Sequence, residues 1–173
     1  DLDSRDLVIH SVSDAATRRP LPFVLQPPVE FLGQRLRIDL GGTQPARVRI
    51  EYETGPNASA LQWLLPRQTS GRLPFLLTQS QAIHARSWIP CADSPGARVS
   101  YDATVRVPPG VNVFMSAEHL GHDAEAGVFR FRMNETAWDP RLVARLLTER
   151  GRAGGFPVLD LTPALVAAAG PLG

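Results

Sequence analysis

Hydrophobic and polar residues alternate with period two over most of the first two-thirds of the chain. Leu36, Ile38 and Leu40 face one way and Arg35, Arg37 and Asp39 the other. Val48, Ile50 and Tyr52 repeat this against Arg47, Arg49, Glu51 and Glu53. Val99, Tyr101, Ala103, Val105 and Val107 do so again, as do Phe129, Phe131 and Met133 against Arg130 and Arg132. Such stretches predict strands with one face on a core and one in water, the habit of antiparallel sheets. Turn residues punctuate them at Gly41-Gly42, Gly55-Pro56-Asn57, Pro108-Pro109-Gly110 and Gly121-His122-Asp123. The expected class is mainly β, a bent, saddle-like sandwich over residues 1–135.

The period changes after Glu135. Asp139-Pro140 is a helix start, an N-cap acid with proline in the first turn, and Leu142, Val143, Leu146 and Leu147 follow at helical spacing up to Gly151. Phe156 to Leu161 reads as extended, and Thr162-Pro163 opens an Ala-rich turn or two. Residues 136–173 are therefore expected to be a short helical tail.

Composition narrows the function classes. At 173 residues the chain has room for one domain, or one domain plus an appendage, and it can bury a core without disulfides. Its net charge is +1, and it has no basic stripe interleaved with aromatics, which argues against nucleic acid as a partner. All 18 basic residues are Arg, so no lysine-based covalent chemistry is available from side chains. Cys91 is the single cysteine, and no apolar run approaches the roughly 20 residues of a membrane span.

Three blocks carry a family likeness: Leu2-Asp3-Ser4-Arg5-Asp6-Leu7-Val8-Ile9; Tyr52-Glu53-Thr54 followed by Ser59-Ala60-Leu61-Gln62-Trp63-Leu64; and Gln79 through Pro95. Val113 to Ala117 adds a fourth, similar to the strand that precedes a variable hairpin. In order and spacing they resemble the amino-terminal domain of the zinc aminopeptidases that include leukotriene A(4) hydrolase. The resemblance implies that the Gln-x-Gln-Ala turn, here Gln79, Gln81 and Ala82, reaches towards a peptide bound at a zinc ion held by another domain. The implied partners are a peptide N-terminus and a catalytic metallopeptidase domain. The family's His-Glu-x-x-His motif is missing from this sequence. No catalytic or metal-ligating residue is therefore expected here, the zinc belongs to the parent enzyme, and the chain alone is expected to be inactive. The alternative is a non-enzymatic interaction module that has lost its catalytic partner.

Each candidate has a plainer structural reading. Polar residues at a sheet edge often only satisfy a bend, and it is the resemblance that favours a substrate-facing role for Gln79, Gln81 and Ala82. His84, Cys91 and Asp93 have the residue types of a nucleophilic set, but the matching block makes His84 and Arg86 buried framework and Pro90-Cys91 a packed corner. Glu118, His119, His122 and Asp123 have the residue types of a metal site. Their spacing is not i, i+4 and Gly121 interrupts it, so a solvated hairpin is expected. Trp63, Phe75 and Trp88 are expected in a core.

Overall fold

The computed structural model describes residues 1–134 apart from 43, 44, 46, 70–74 and 98. The helical tail expected over residues 136–173 lies outside the described residues. The chain divides into two units, Asp1–Ala97 and Arg98–Gly173.

In the first unit, strands β1 (Leu2–Ser4), β4 (Gln34–Ile38) and β3 (Phe23–Leu25) form one antiparallel sheet in the order β1-β4-β3. Leu36 stands opposite both Leu2 and Leu25, so the period-two pattern lays three leucines in one row, and Leu36 is fully buried. Arg35 and Arg37 face the other way, where both reach the Asp1 carboxylate. Leu40, expected on the buried face, lies beyond the end of β4 and is exposed.

Strands β2 (Leu7–Asp14) and β5 (Val48–Thr54) pair antiparallel with a bulge at His10, which places buried Val12 opposite Ile50 and Ile9 opposite Tyr52. Strands β6 (Leu61–Leu64) and β7 (Phe75–Thr78) make a third antiparallel pair. Among the described residues, Leu7, Val12, Leu21, Leu36, Ala58 and Ala60 are the buried apolar residues of this unit.

The second unit is a sheet of β8 (Tyr101–Arg106), β10 (Val128–Met133) and β9 (Glu118–Asp123), in the order β8-β10-β9. Phe129, Phe131 and Ala117 are its core, with Tyr101, Ala103, Val105, Val113 and Met115 packed around them. Val113 to Ala117 has no ladder partner among the described residues, unlike the strand expected there, although its alternate residues still pack inward.

The hairpin turn expected at Gly121-His122-Asp123 lies at residues 124–127 instead. Asp123 Oδ1 accepts the Glu125 and Ala126 N–H groups at 3.1 and 3.0 Å. Gly127 then adopts φ +62°, where a Cβ would lie 2.1 Å from the Val107 carbonyl oxygen. His119 and His122 therefore belong to strand β9.

The mainly β class expected from the alternation is what the structure has, in open sheets rather than a closed barrel.

One residue breaks the pattern. Ser4 shares its sheet face with Leu2 and Leu36, is fully buried, and its hydroxyl has no hydrogen-bond partner among the described residues. An unpaired buried hydroxyl costs about 1–3 kcal/mol. Ser4→Ala is expected to leave stability unchanged or raise it by about 1 kcal/mol, read as a higher urea midpoint at constant m-value. A lower midpoint would show that the hydroxyl is paired.

Candidate functional site

The Gln79–Ala82 turn grows out of the β6–β7 ladder. Leu61 and Thr78 are the last ladder partners, and the Gln79 N–H then donates to the Ala60 carbonyl at 2.9 Å. Gln79 Oε1 accepts the Gln81 N–H at 3.0 Å, so one amide side chain closes the turn from inside. Ser80 holds the other side: its carbonyl accepts the His84 N–H at 3.0 Å and its hydroxyl accepts Trp88 Nε1–H at 3.2 Å. The Gln81–Ala82 peptide bond is cis. Gln79, Gln81 and Ala82 are all exposed, and the Gln81 side chain has no partner among the described residues. The three residues named from the sequence are thus adjacent on one turn whose backbone is tied down and whose Gln81 amide is left to donate and accept.

Behind the turn lies a buried polar frame. Arg86 and Asp93 are 5% and 8% exposed, little enough that neither charge is tolerable without the other. Arg86 Nε donates to Asp93 Oδ2 at 3.0 Å, and the same oxygen accepts the Arg86 backbone N–H at 3.0 Å. Arg86 Nη2 reaches the Asp93 carbonyl at 2.6 Å and Nη1 the Leu32 carbonyl at 2.8 Å. Asp3 joins from β1: its Oδ1 lies 3.5 Å from Arg86 Nη1 and its Oδ2 accepts the Asp93 N–H at 3.0 Å. Two backbone bonds between Asp3 and Cys91, at 2.8 and 3.2 Å, complete the tie.

A second group locks the start of the frame. Ser87, 1% exposed, donates its hydroxyl to the His84 carbonyl at 2.8 Å and accepts the Ala60 N–H at 3.0 Å. The Arg5 guanidinium donates through Nη2 to the Ser59 hydroxyl and to His84 Nδ1 (3.0 Å for the latter), and Ser59 Oγ lies 2.7 Å from the same nitrogen. With both neighbours donating, Nδ1 is the acceptor and the ring proton sits on Nε2. A hydrolytic triad needs an acid behind its imidazole; the group behind this one is a guanidinium.

The His84, Cys91 and Asp93 trio does not assemble. Asp93 is committed to Arg86, and His84 to Arg5 and Ser59. Burial, followed by the carboxylates of Asp93 and Asp3, pushes the Cys91 thiol up to about 11. Arg5, Asp3 and Ser59 were not singled out from the sequence, because their partners lie 25 to 90 residues away.

Other candidates are placed differently from expectation. Arg86 is buried framework as expected, whereas Cys91 and His84 are half-buried. Trp63 is 66% and Phe75 49% exposed on the β6–β7 pair, and Trp88 is half-buried. The first two therefore do not fill a core, because a two-stranded pair has no second layer to cover both its faces. Glu118, His119, His122 and Asp123 lie in the second unit on β9.

The peptidase M1 N-terminal domain matches residues 2–127. The chain belongs to that family. This M1 N-terminal domain is 37% identical over 143 residues to leukotriene A-4 hydrolase of Xenopus laevis, covering 77% of the chain and 23% of that protein. It is 38% identical over 119 residues to human aminopeptidase RNPEPL1, covering 66% of the chain and 16% of that protein. Among solved structures it is similar to native leukotriene A4 hydrolase from Saccharomyces cerevisiae, with TM-score 0.67 and 30% identity over 76% of the chain and 20% of the yeast chain. The M1 N-terminal domain thus spans less than a quarter of the length of these relatives.

Two outcomes follow from the frame. Arg86→Met leaves the Asp93 carboxylate buried without its cation and is expected to cost about 3–5 kcal/mol, measured by denaturant unfolding; a loss under about 1 kcal/mol would place the pair in solvent. The raised thiol keeps Cys91 protonated near neutral pH. At pH 8 its labelling by a disulfide reagent is therefore expected to be on the order of a hundredfold slower in the native than in the unfolded chain. Equal rates would contradict the burial assigned to it.

Proposed function

We propose that this domain anchors substrate for a zinc aminopeptidase, and that the Gln79–Ala82 turn is the element that meets the free amino end and first residue of a peptide. The observation that carries this reading is the turn itself: exposed Gln79 and Gln81 on a backbone held by hydrogen bonds to Ala60, within the turn, and between Ser80 and His84. A neutral amide that both donates and accepts orients a peptide without adding charge beside a metal. Preorganisation of this kind lowers the ordering cost of binding.

The chain's own residues do not fit the family's zinc. The sequence has no His-Glu-x-x-His, and among the described residues no three His, Cys, Asp or Glu side chains converge. The proposed division of labour leaves hydrolysis to a separate catalytic domain. Exposed Trp63, Leu65, Phe75, Leu76 and Leu77 on and beside the β6–β7 pair support a domain that works against a larger body.

The purified chain is expected to show no chelator-sensitive turnover of Ala- or Arg-amide substrates with added zinc. In NMR titrations, an unblocked tripeptide is expected to shift the Gln79, Gln81 and Ala82 signals with a Kd of roughly millimolar, as befits half a cleft. The N-acetylated tripeptide is expected not to. Chelator-sensitive turnover would refute the division of labour, and shifts confined to other residues would refute the role of the turn.

A further inference from the structure

The ladder between β9 and β10 sets two imidazoles side by side. In a regular strand, residues three apart point to opposite faces. Here the register runs Phe129 opposite His122 and Arg130 opposite Gly121, then slips, so that Phe131 stands opposite His119 and Leu120 has no opposite number. Gly121 takes φ +147° at the slip. One extra residue returns His119 to the side occupied by His122.

Both rings lie over the buried pair Phe129 and Phe131. The His122 ring stacks on Phe129 at 5.4 Å with 10° between planes, and the His119 ring leans on Phe131 at 5.3 Å and 48°. The two imidazole centroids are 5.6 Å apart. Contacts of this kind, stacked for His122 and tilted for His119, hold each ring against a phenyl group. Among the described residues neither imidazole has a hydrogen-bond partner, and both residues are exposed on the edge strand of the sheet.

Two imidazoles bound to one ion at about 2.1 Å and a near-tetrahedral angle have centroids roughly 5 Å apart. The observed centroid distance of 5.6 Å is close to that span. Strand alternation sends Arg130 and Arg132 to the opposite face, where Arg132 pairs with Asp102, so no guanidinium of β10 opposes a cation at the histidines.

We propose that His119 and His122 form a two-imidazole site for a borderline divalent transition-metal cation of the copper(II) or zinc(II) class. Nitrogen ligands select these ions over calcium or magnesium, which take oxygen. No third His, Cys, Asp or Glu joins the pair among the described residues, so water completes the shell and the ion is exchangeable. The site does not depend on the role of the Gln79–Ala82 turn. A ligating nitrogen must be unprotonated, so acidification releases the ion.

The test is titration of the 173-residue chain with copper(II) chloride, followed through the imidazole ring-proton signals of its four histidines. His119 and His122 are expected to broaden together at sub-stoichiometric metal while His10 and His84 stay sharp. Calorimetry with His119→Asn or His122→Asn is expected to show affinity at least about tenfold lower, no less than the loss of an outer-shell partner costs; His10→Asn is expected to bind as the parent chain does. Equal broadening of all four histidines, or undiminished affinity in either His119→Asn or His122→Asn, would overturn the site.

Discussion

The buried pair of Arg86 and Asp93 is the contact on which the polar frame of the first unit depends. Two charges removed from water carry a desolvation cost of several kcal/mol each, and their attraction offsets it only when the remaining donors and acceptors are also matched. Here they are: the carboxylate accepts a backbone N–H as well as the guanidinium, and the guanidinium reaches two carbonyls besides. The planar fork of arginine suits this task, since its donors point in fixed directions towards different chain segments. Removing either partner strands the other, so the interaction fixes geometry more than it adds net stability.

From that pair, order spreads along the chain to the turn. Asp3 brings β1 to the frame, Leu32 brings the loop before β4, and Ser87 and His84 carry the constraint back to Ala60 and Ser59 at the root of β6. The turn at Gln79–Ala82 leaves the ladder from the same root. Rigid support under exposed amides suits the recognition role proposed for this turn. The longer M1 relatives of the chain include aminopeptidases. The β6–β7 pair beside the turn keeps aromatic and leucine side chains in water.

The β class and the position of the candidate turn were legible in the sequence. Alternation around Leu36, Ile50 and Phe131 reports burial directly, since period two is a property of the strand itself. Three things were not legible. Trp63 and Phe75 are as apolar as core residues, and nothing local says that their strands pair in a sheet only two strands wide. Gly121 looked like a turn glycine, but the turn is made by Asp123 and Gly127, and a bulge needs its partner strand before it can be seen. The ties among Arg5, Ser59 and His84 join residues remote in sequence, so no spacing rule could find them.

The most direct test of the central claim is native-state hydrogen exchange on Asp93→Asn against the parent chain. If the ion pair holds the frame, the amides of Asp3, Arg5, His84, Ser87 and Trp88 will lose protection by more than the β2–β5 ladder does. An even loss across both groups, or none at all, would mean that the turn stands without the pair and that the frame proposed here is only its neighbour.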